Sequence, residues 1–77
     1  MTIEERIKNF LVNEMEIDAE KIVPQARLKE DLGIDSLEVV DIVVFVEGEF
    51  GFKMKSEEFK DIKFFEQFVD YITKRVG

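Results

Sequence analysis

The sequence contains neither cysteine nor histidine among its 77 residues. Without cysteine the chain has no disulfide, no thiolate nucleophile and no zinc–thiolate site. Without histidine it has no Ser-His-Asp arrangement. A domain this short also buries too little of its surface to enclose a deep catalytic cavity. These absences favour a function at the surface over catalysis.

Long apolar segments are missing as well. The N-terminus, MTIEERIKNF, carries acidic residues and a helical pattern instead of the basic start and apolar stretch of a signal peptide. No later stretch is long enough to span a bilayer. We therefore expect a cytoplasmic chain with no membrane partner, folded as one small domain over residues 1–77 without repeats or linkers.

Basic residues are missing from the middle of the chain. Residues 1–29 contain six acidic and five basic residues, and residues 53–77 contain five acidic and six basic residues. Residues 30–52 contain seven acidic residues and no lysine or arginine: Glu30, Asp31, Asp35, Glu38, Asp41, Glu47 and Glu49. The net charge of −7 is concentrated there. Such a segment attracts basic partner surfaces and repels nucleic acid, although acids that only maintain solubility are an alternative interpretation.

Apolar residues recur at helical spacing in four segments, which predicts an all-α fold. The first helix begins at a Thr2–Glu5 capping box and runs to about Met15. The second covers about fifteen residues from Ser36 to Phe50 and ends at Gly51. A short third helix is capped by Ser56, and a fourth carries the apolar residues Phe65, Phe68, Val69, Ile72 and Val76. The prediction is a four-helix bundle with a short third helix.

The segment between helices 1 and 2, residues 16–35, is unusually long for a loop in a compact domain. Pro24 and Gly33 interrupt it, and it has no sustained period. Its apolar residues are predicted to attach it to the helices: Ile17, Ile22, Val23, Leu28, Leu32 and Ile34. We therefore expect an ordered loop.

Ser36 stands at the start of helix 2. Asp35 and Glu38 form a D-x-x-E helix start, so Asp35 is the predicted cap and the Ser36 hydroxyl points outward. A nucleophilic role is disfavoured because the chain has no histidine base and no lysine in an apolar pattern. Free backbone amides and the positive end of the helix dipole would favour a phosphate here. The pattern indicates a site of modification.

The chain resembles an acyl carrier protein over its whole length. The similar stretches are Thr2-Ile-Glu-Glu5-Arg6, Glu30-Asp31-Leu32-Gly33-Ile34-Asp35-Ser36-Leu37 and Asp70-Tyr71-Ile72. The D-S-L sequence alone is weak, but the preceding D-L-G, the acidic helix, the length and the helical pattern make the resemblance specific. It implies a discrete, monomeric, non-catalytic carrier of the bacterial type with the four-helix fold.

The resemblance also implies the cofactor and the partners. Ser36 would receive 4′-phosphopantetheine from coenzyme A through a phosphodiester, installed by a separate magnesium-dependent phosphopantetheinyl transferase. The thiol of this arm would carry acyl groups as thioesters, which fits a chain without cysteine. Other partners would be acyl-transferring and chain-elongating enzymes with basic docking patches, in fatty-acid synthesis or a related lipid or polyketide pathway.

Helix 2 is the expected docking element, because its outer face combines an apolar stripe with acids. The predicted docking residues are Asp35, Leu37, Glu38, Val40, Asp41, Val44 and Glu47. For Val40 and Val44 the alternative is packing in the core. The predicted acyl-pocket residues are Val43, Val46, Phe59, Ile62, Phe68 and Ile72.

Several residues depart from the pattern of fatty-acid carriers and leave the cargo open. Gly48 replaces an acid and Lys55 a frequent proline, and four phenylalanines stand where alanine or valine is common: Phe45, Phe59, Phe65 and Phe68. These rings would shorten, reshape or fill the pocket, or only repack the core. A specialised carrier for a polyketide, a modified lipid or D-alanine is the alternative, whereas Asp35 before the serine disfavours a peptidyl carrier.

Two further hypotheses come from other classes of protein. An unmodified acidic adaptor would explain the charge and the fold but would leave Ser36 without a role. The carboxylates of Glu30, Asp31, Asp35 and Glu38 could hold calcium loosely, but no EF-hand loop is present, so we predict no dedicated metal site.

Overall fold

The computed structural model describes residues 2–76, which contain four α-helices. Their bounds are Ile3–Asn13 (α1), Ser36–Phe50 (α2), Ser56–Lys60 (α3) and Phe65–Val76 (α4), and one turn of 3-10 helix lies at Ala19–Lys21. Within this part of the chain there is no strand, only an isolated bridge between Arg27 and Phe64. The predicted all-α fold is confirmed. Met1 and Gly77, the ends of the predicted domain, lie outside the described residues.

One apolar core joins the helices and the long loop. α1 packs against α4, and α2 packs against α3. All four helices, the long loop and the connection between α2 and α3 contribute buried side chains, which are Ile7, Leu11, Ile22, Ala26, Leu28, Leu32, Ile34, Ile42, Val46, Met54, Phe59, Phe65, Phe68 and Ile72. None of the described side chains in this core is polar.

α1 is shorter than the apolar pattern suggests. Its cap is as predicted at Thr2, whose hydroxyl oxygen accepts a hydrogen bond from the N–H of Glu5 at 3.1 Å. The helix ends at Asn13 rather than near Met15. The reason is local, because Glu16 adopts a left-handed φ of 56° and the N–H of Ile17 turns back to the carbonyl of Leu11.

The long loop is ordered by burial, as expected for four of its six apolar residues. Ile17 is half-buried and packs against the core. Val23 is 44% exposed, so the prediction that Val23 attaches the loop to the helices is wrong. Val23 opens a turn that is closed by the N–H of Ala26 bonding to the Val23 carbonyl. Ala26 therefore takes the buried position, which the apolar pattern did not indicate.

Backbone hydrogen bonds also hold this loop against the start of α4. The N–H of Leu28 donates to the Lys63 carbonyl at 2.9 Å, and the N–H of Phe65 donates to the Ala26 carbonyl at 2.9 Å. Inside the loop, the carboxylate of Asp31 accepts the N–H of Arg27 at 2.8 Å. That bond, together with the Arg27 guanidinium, holds the pKa of Asp31 below its usual range.

The loop between α2 and α3 is bounded by two caps. Gly51 ends α2 with a left-handed φ of 78°, as predicted. Ser56, however, is the first residue inside α3 and not its cap. The cap position belongs to Lys55, which has an extended backbone and makes no side-chain capping bond. A lysine side chain has no acceptor, so the sequence carried no signal for a cap at this position.

Gly48 is a helix-interior glycine with open space around it. A Cβ added there meets nothing within 4 Å, and the backbone is helical. Gly48→Ala is expected to raise the free energy of unfolding by about 0.5–1 kcal/mol, because alanine loses less backbone entropy on folding. Urea unfolding measures the change. Gly51→Ala is the control and should destabilise, because its φ is positive; equal effects at both positions would contradict the argument.

Candidate functional site

The start of α2 is fixed by a complete capping box. Oδ1 of Asp35 accepts the N–H of Leu37 at 3.0 Å and the N–H of Glu38 at 3.2 Å. In return, Oε2 of Glu38 accepts the N–H of Asp35 at 2.8 Å. Asp35 is the cap and Ser36 the first helical residue, so both predictions for this helix start are confirmed.

The Ser36 hydroxyl has no structural role within residues 2–76. Ser36 is exposed, and its oxygen makes no hydrogen bond to another described residue. The expectation of free amides around it needs correction, because the amides of Leu37 and Glu38 already donate to Asp35. A phosphate on Ser36 would therefore lie beside the Asp35 carboxylate with two of the nearby amides taken.

A cavity of about 410 Å³ opens beside Ser36. It lies between the end of the long loop, the start of α2 and α3. Its apolar walls are formed by Leu28, Ile34, Val39, Phe59 and Ile62. This size is within the range of small-ligand pockets, so the cavity can take a flexible, largely uncharged group attached at Ser36.

Polar groups line the opening of the same cavity. They are Lys29, Asp35, Ser36, Ser56 and Lys60. The two lysines were not among the predicted site residues, because spacing along the chain does not show which part of a twenty-residue loop folds over the start of α2.

The predicted docking residues lie on one outward face of α2. Leu37, Val40 and Val44 are 79%, 55% and 64% exposed, which excludes the alternative that Val40 and Val44 belong to the core. Asp41 and Glu47 are exposed on the same face, and within residues 2–76 their carboxylates have no hydrogen-bond or ion-pair partner. Asp35 and Glu38 sit at its N-terminal end but are engaged in the capping box.

The predicted acyl-pocket residues do not all reach the cavity. Phe59 and Ile62 line it, whereas Val46, Phe68 and Ile72 are buried in the core and Val43 is half-buried. Those four are not among the residues that surround the cavity opening.

The four additional phenylalanines have separate environments. Phe59 lies in the cavity wall with Phe68 behind it, the ring centroids 5.4 Å apart in an edge-to-face arrangement. Phe45 stacks on Phe10 with centroids 4.0 Å apart, on the side of α2 that faces α1. Phe65 is buried in the core. Only Phe59 therefore touches the space beside Ser36 directly.

A second, wider groove of about 700 Å³ runs between α1 and α2. It is lined by Phe10, Val44, Phe45 and polar residues, and it does not include Ser36. The smaller cavity is the better candidate site because it contains the unbonded hydroxyl.

The acids of the middle segment are dispersed rather than gathered. Glu30 and Asp31 pair with Arg27, and Glu49 lies 3.5 Å from Arg6. In the described part of the chain no three acidic side chains converge as metal ligands would. Within the same part, no helix has the length and apolar character needed to cross a bilayer.

Comparisons with known proteins agree on one family. Residues 5–72 match the family model described as a phosphopantetheine attachment site. The chain is 35% identical over 73 residues to an acyl carrier protein of Thermosynechococcus vestitus, covering 95% of this chain and 90% of the relative. It is 30% identical over 77 residues to an acyl carrier protein of Solidesulfovibrio magneticus, covering 100% of this chain and 99% of the relative.

Proposed function

The chain belongs to the acyl carrier protein family, whose members are non-catalytic carriers of 4′-phosphopantetheine, and we propose that Ser36 is the residue to which this group is attached. The observation that supports Ser36 most strongly is its hydroxyl, which is exposed and unbonded at the opening of a cavity. Ser56, the other serine at this cavity, does not follow the D-L-G-I-D stretch of the family resemblance.

Attachment would join the Ser36 oxygen to the phosphorus of the pantetheine phosphate. The Oγ–P bond forms as the phosphoanhydride bond of coenzyme A breaks, the adenosine bisphosphate leaves, and the hydroxyl proton passes to a base. This chain has no histidine, and the Asp35 carboxylate beside Ser36 is engaged in the capping box, so we assign the base to the transferase. When bound, the group supplies a thiol that holds acyl chains as thioesters.

The experiment that tests this proposal is intact mass. The purified chain is incubated with coenzyme A, magnesium and a broad-specificity phosphopantetheinyl transferase. A gain of one phosphopantetheine supports the carrier function. No gain in a folded protein would favour the second candidate, an unmodified acidic adaptor, which the unpaired carboxylates on α2 support but which leaves Ser36 without a role.

Family members interact with phosphopantetheinyl transferases and acyl-handling enzymes, and we propose that these partners dock on the outer face of α2. Leu37, Val40 and Val44 would provide apolar contacts, and Asp41 and Glu47 would attract basic residues of the partner. Exposed charges act mainly on the rate of encounter, which suits a carrier that must bind and leave repeatedly.

Charge reversal on α2 should slow modification. The double variant Asp41→Lys/Glu47→Lys is expected to lower kcat/KM of the transferase by about tenfold or more at low salt, because steering by unpaired acids is lost. These residues are preferable to Glu38, whose carboxylate completes the capping box, so that its replacement would also cost stability.

Salt and stability provide the controls for this variant. The difference from wild type should shrink in 0.5 M salt, where charges are screened. The urea midpoint should stay near that of wild type, because neither carboxylate has a partner within residues 2–76. Unchanged transferase kinetics at low salt would contradict docking through this face.

The proposal also includes the metabolic pathway that the carrier serves. We propose that the chain acts as a cytoplasmic monomer, a single domain over residues 1–77, that presents acyl groups to enzymes of fatty-acid synthesis. A specialised polyketide, modified-lipid or D-alanyl carrier is the alternative, supported by the Phe59 ring in the cavity wall. The mass of acyl species bound to the holo protein isolated from its own cells distinguishes these cargoes.

A further inference from the structure

Two lysines without partners line the cavity that contains Ser36. Lys29 belongs to the long loop and Lys60 to α3, so they approach the cavity from different elements. Within residues 2–76 neither ammonium group has an ion-pair or hydrogen-bond partner. What distinguishes them from the other exposed lysines is that both line the opening beside Ser36. The opening of the cavity therefore presents two ammonium groups that form no ion pair within the described residues.

Modification of Ser36 would place a negative charge at this position. A phosphodiester on its oxygen carries one negative charge and lies next to the Asp35 carboxylate, which repels it. Backbone amides offer limited compensation, because those of Leu37 and Glu38 already donate to Asp35. The dipole of α2 favours an anion here, but the two carboxylates of the capping box, those of Asp35 and Glu38, repel it. Nearby positive charge would stabilise the phosphodiester, and the lysines are the cations that line this cavity.

We infer that Lys29 and Lys60 form a binding site for the phosphodiester of the prosthetic arm and so hold the arm in the cavity between the loop and α3. This inference rests on the proposed attachment at Ser36. The ligand is an oxyanion already tethered beside the site. The uncharged part of the arm then lies along the apolar walls, which include Ile34, Phe59 and Ile62.

The affinity of the lysine site for the phosphodiester is limited because the two lysines are exposed to solvent. Both lysines are exposed, so each ion pair changes the ratio of docked to free arm by up to about fivefold. The site holds the arm at rest and releases it easily, since basic residues of a docked partner can replace the lysines. The effect must weaken with salt, because exposed charges are screened.

Methyl NMR of the apo and holo proteins tests the inference. The holo protein is prepared with the transferase, and its mass is verified before any spectrum is recorded. In wild type at low salt, attachment should shift the methyl resonances of Ile34 and Ile62. In Lys29→Gln/Lys60→Gln these shifts should decrease severalfold, following the ratio of docked to free arm, and the ³¹P resonance should lose its dependence on salt. Lys29→Arg/Lys60→Arg should restore both.

Lys53→Gln is the matched control, because it removes the same charge from an exposed lysine that does not line the cavity; it should behave as wild type. Failure of the mass gain in wild type would refute the proposed function itself. A normal mass gain with methyl shifts that are unaffected by the lysine substitutions would overturn only the lysine site. An effect that appears only after a carboxylate-bearing acyl group is loaded would also overturn it, because the lysines would then bind cargo.

Discussion

Ser36→Ala is expected to abolish the gain of phosphopantetheine completely, because the substitution removes the only atom of residue 36 that can form the phosphodiester. The loss should not reflect unfolding. The hydroxyl is exposed and makes no hydrogen bond within residues 2–76, so the free energy of unfolding should change by less than about 0.5 kcal/mol. Intact mass after incubation with transferase, and urea unfolding of the same sample, measure the two quantities.

Ser56→Ala is the matched control. Ser36 and Ser56 are the two serines of the chain, both line the same cavity, and both are the first residue of a helix. They differ in their surroundings, because Ser36 is preceded by a complete capping box whereas Ser56 follows a cap residue without a side-chain bond. Ser56→Ala should gain one phosphopantetheine as wild type does. Modification that survives in Ser36→Ala and disappears in Ser56→Ala would reassign the site.

The same variant separates attachment from docking. Ser36→Ala keeps the outer face of α2, including Val40, Asp41 and Val44, and should compete with wild type for the transferase. Adding Asp41→Lys and Glu47→Lys should weaken that competition by about tenfold or more at low salt. Equal competition by both variants would place the docking surface elsewhere.

The sequence predicted the elements that local chemistry controls. α2 was bounded correctly by Asp35 and Gly51, because a D-x-x-E start and a terminal glycine are local signals. The exposed face of α2 also followed from helical spacing. The capping residue of α3 was missed because Lys55 offers no capping atom, so the boundary depends on how the preceding loop packs.

The apolar pattern of the sequence did not predict which residues line the cavity. Val46, Phe68 and Ile72 are apolar residues at helical spacing, as Phe59 and Ile62 are. They are nevertheless buried in the core and do not line the cavity beside Ser36. Lys29 reaches that opening because backbone bonds from Leu28 and Ala26 fix the loop against the start of α4. Such pairing between distant segments carries no periodic signal in either segment.

Phe68→Ala is expected to cause the largest loss of stability, about 3–5 kcal/mol, since it empties a ring-sized space in a closed core. The side chain is 1% exposed and packs edge-to-face on Phe59. A domain of 77 residues has a total stability of about 4–12 kcal/mol, so the variant should lose between about a quarter and all of it. Urea unfolding followed by circular dichroism measures the loss.

A surface control and a double-mutant cycle test whether this loss comes from the core and from the contact with Phe59. Val44→Ala, at a position 64% exposed, should change stability by less than about 0.5 kcal/mol, because it empties no core volume. In a double-mutant cycle Phe59 and Phe68 should couple by about 0.5–1.5 kcal/mol, the contribution of an aromatic pair beyond burial. Since Phe59 is also a wall of the cavity beside Ser36, such coupling would show that the core residue Phe68 supports that wall. A loss below about 1 kcal/mol in Phe68→Ala would mean that the core closes over the missing ring and that Phe68 does not hold Phe59 in place.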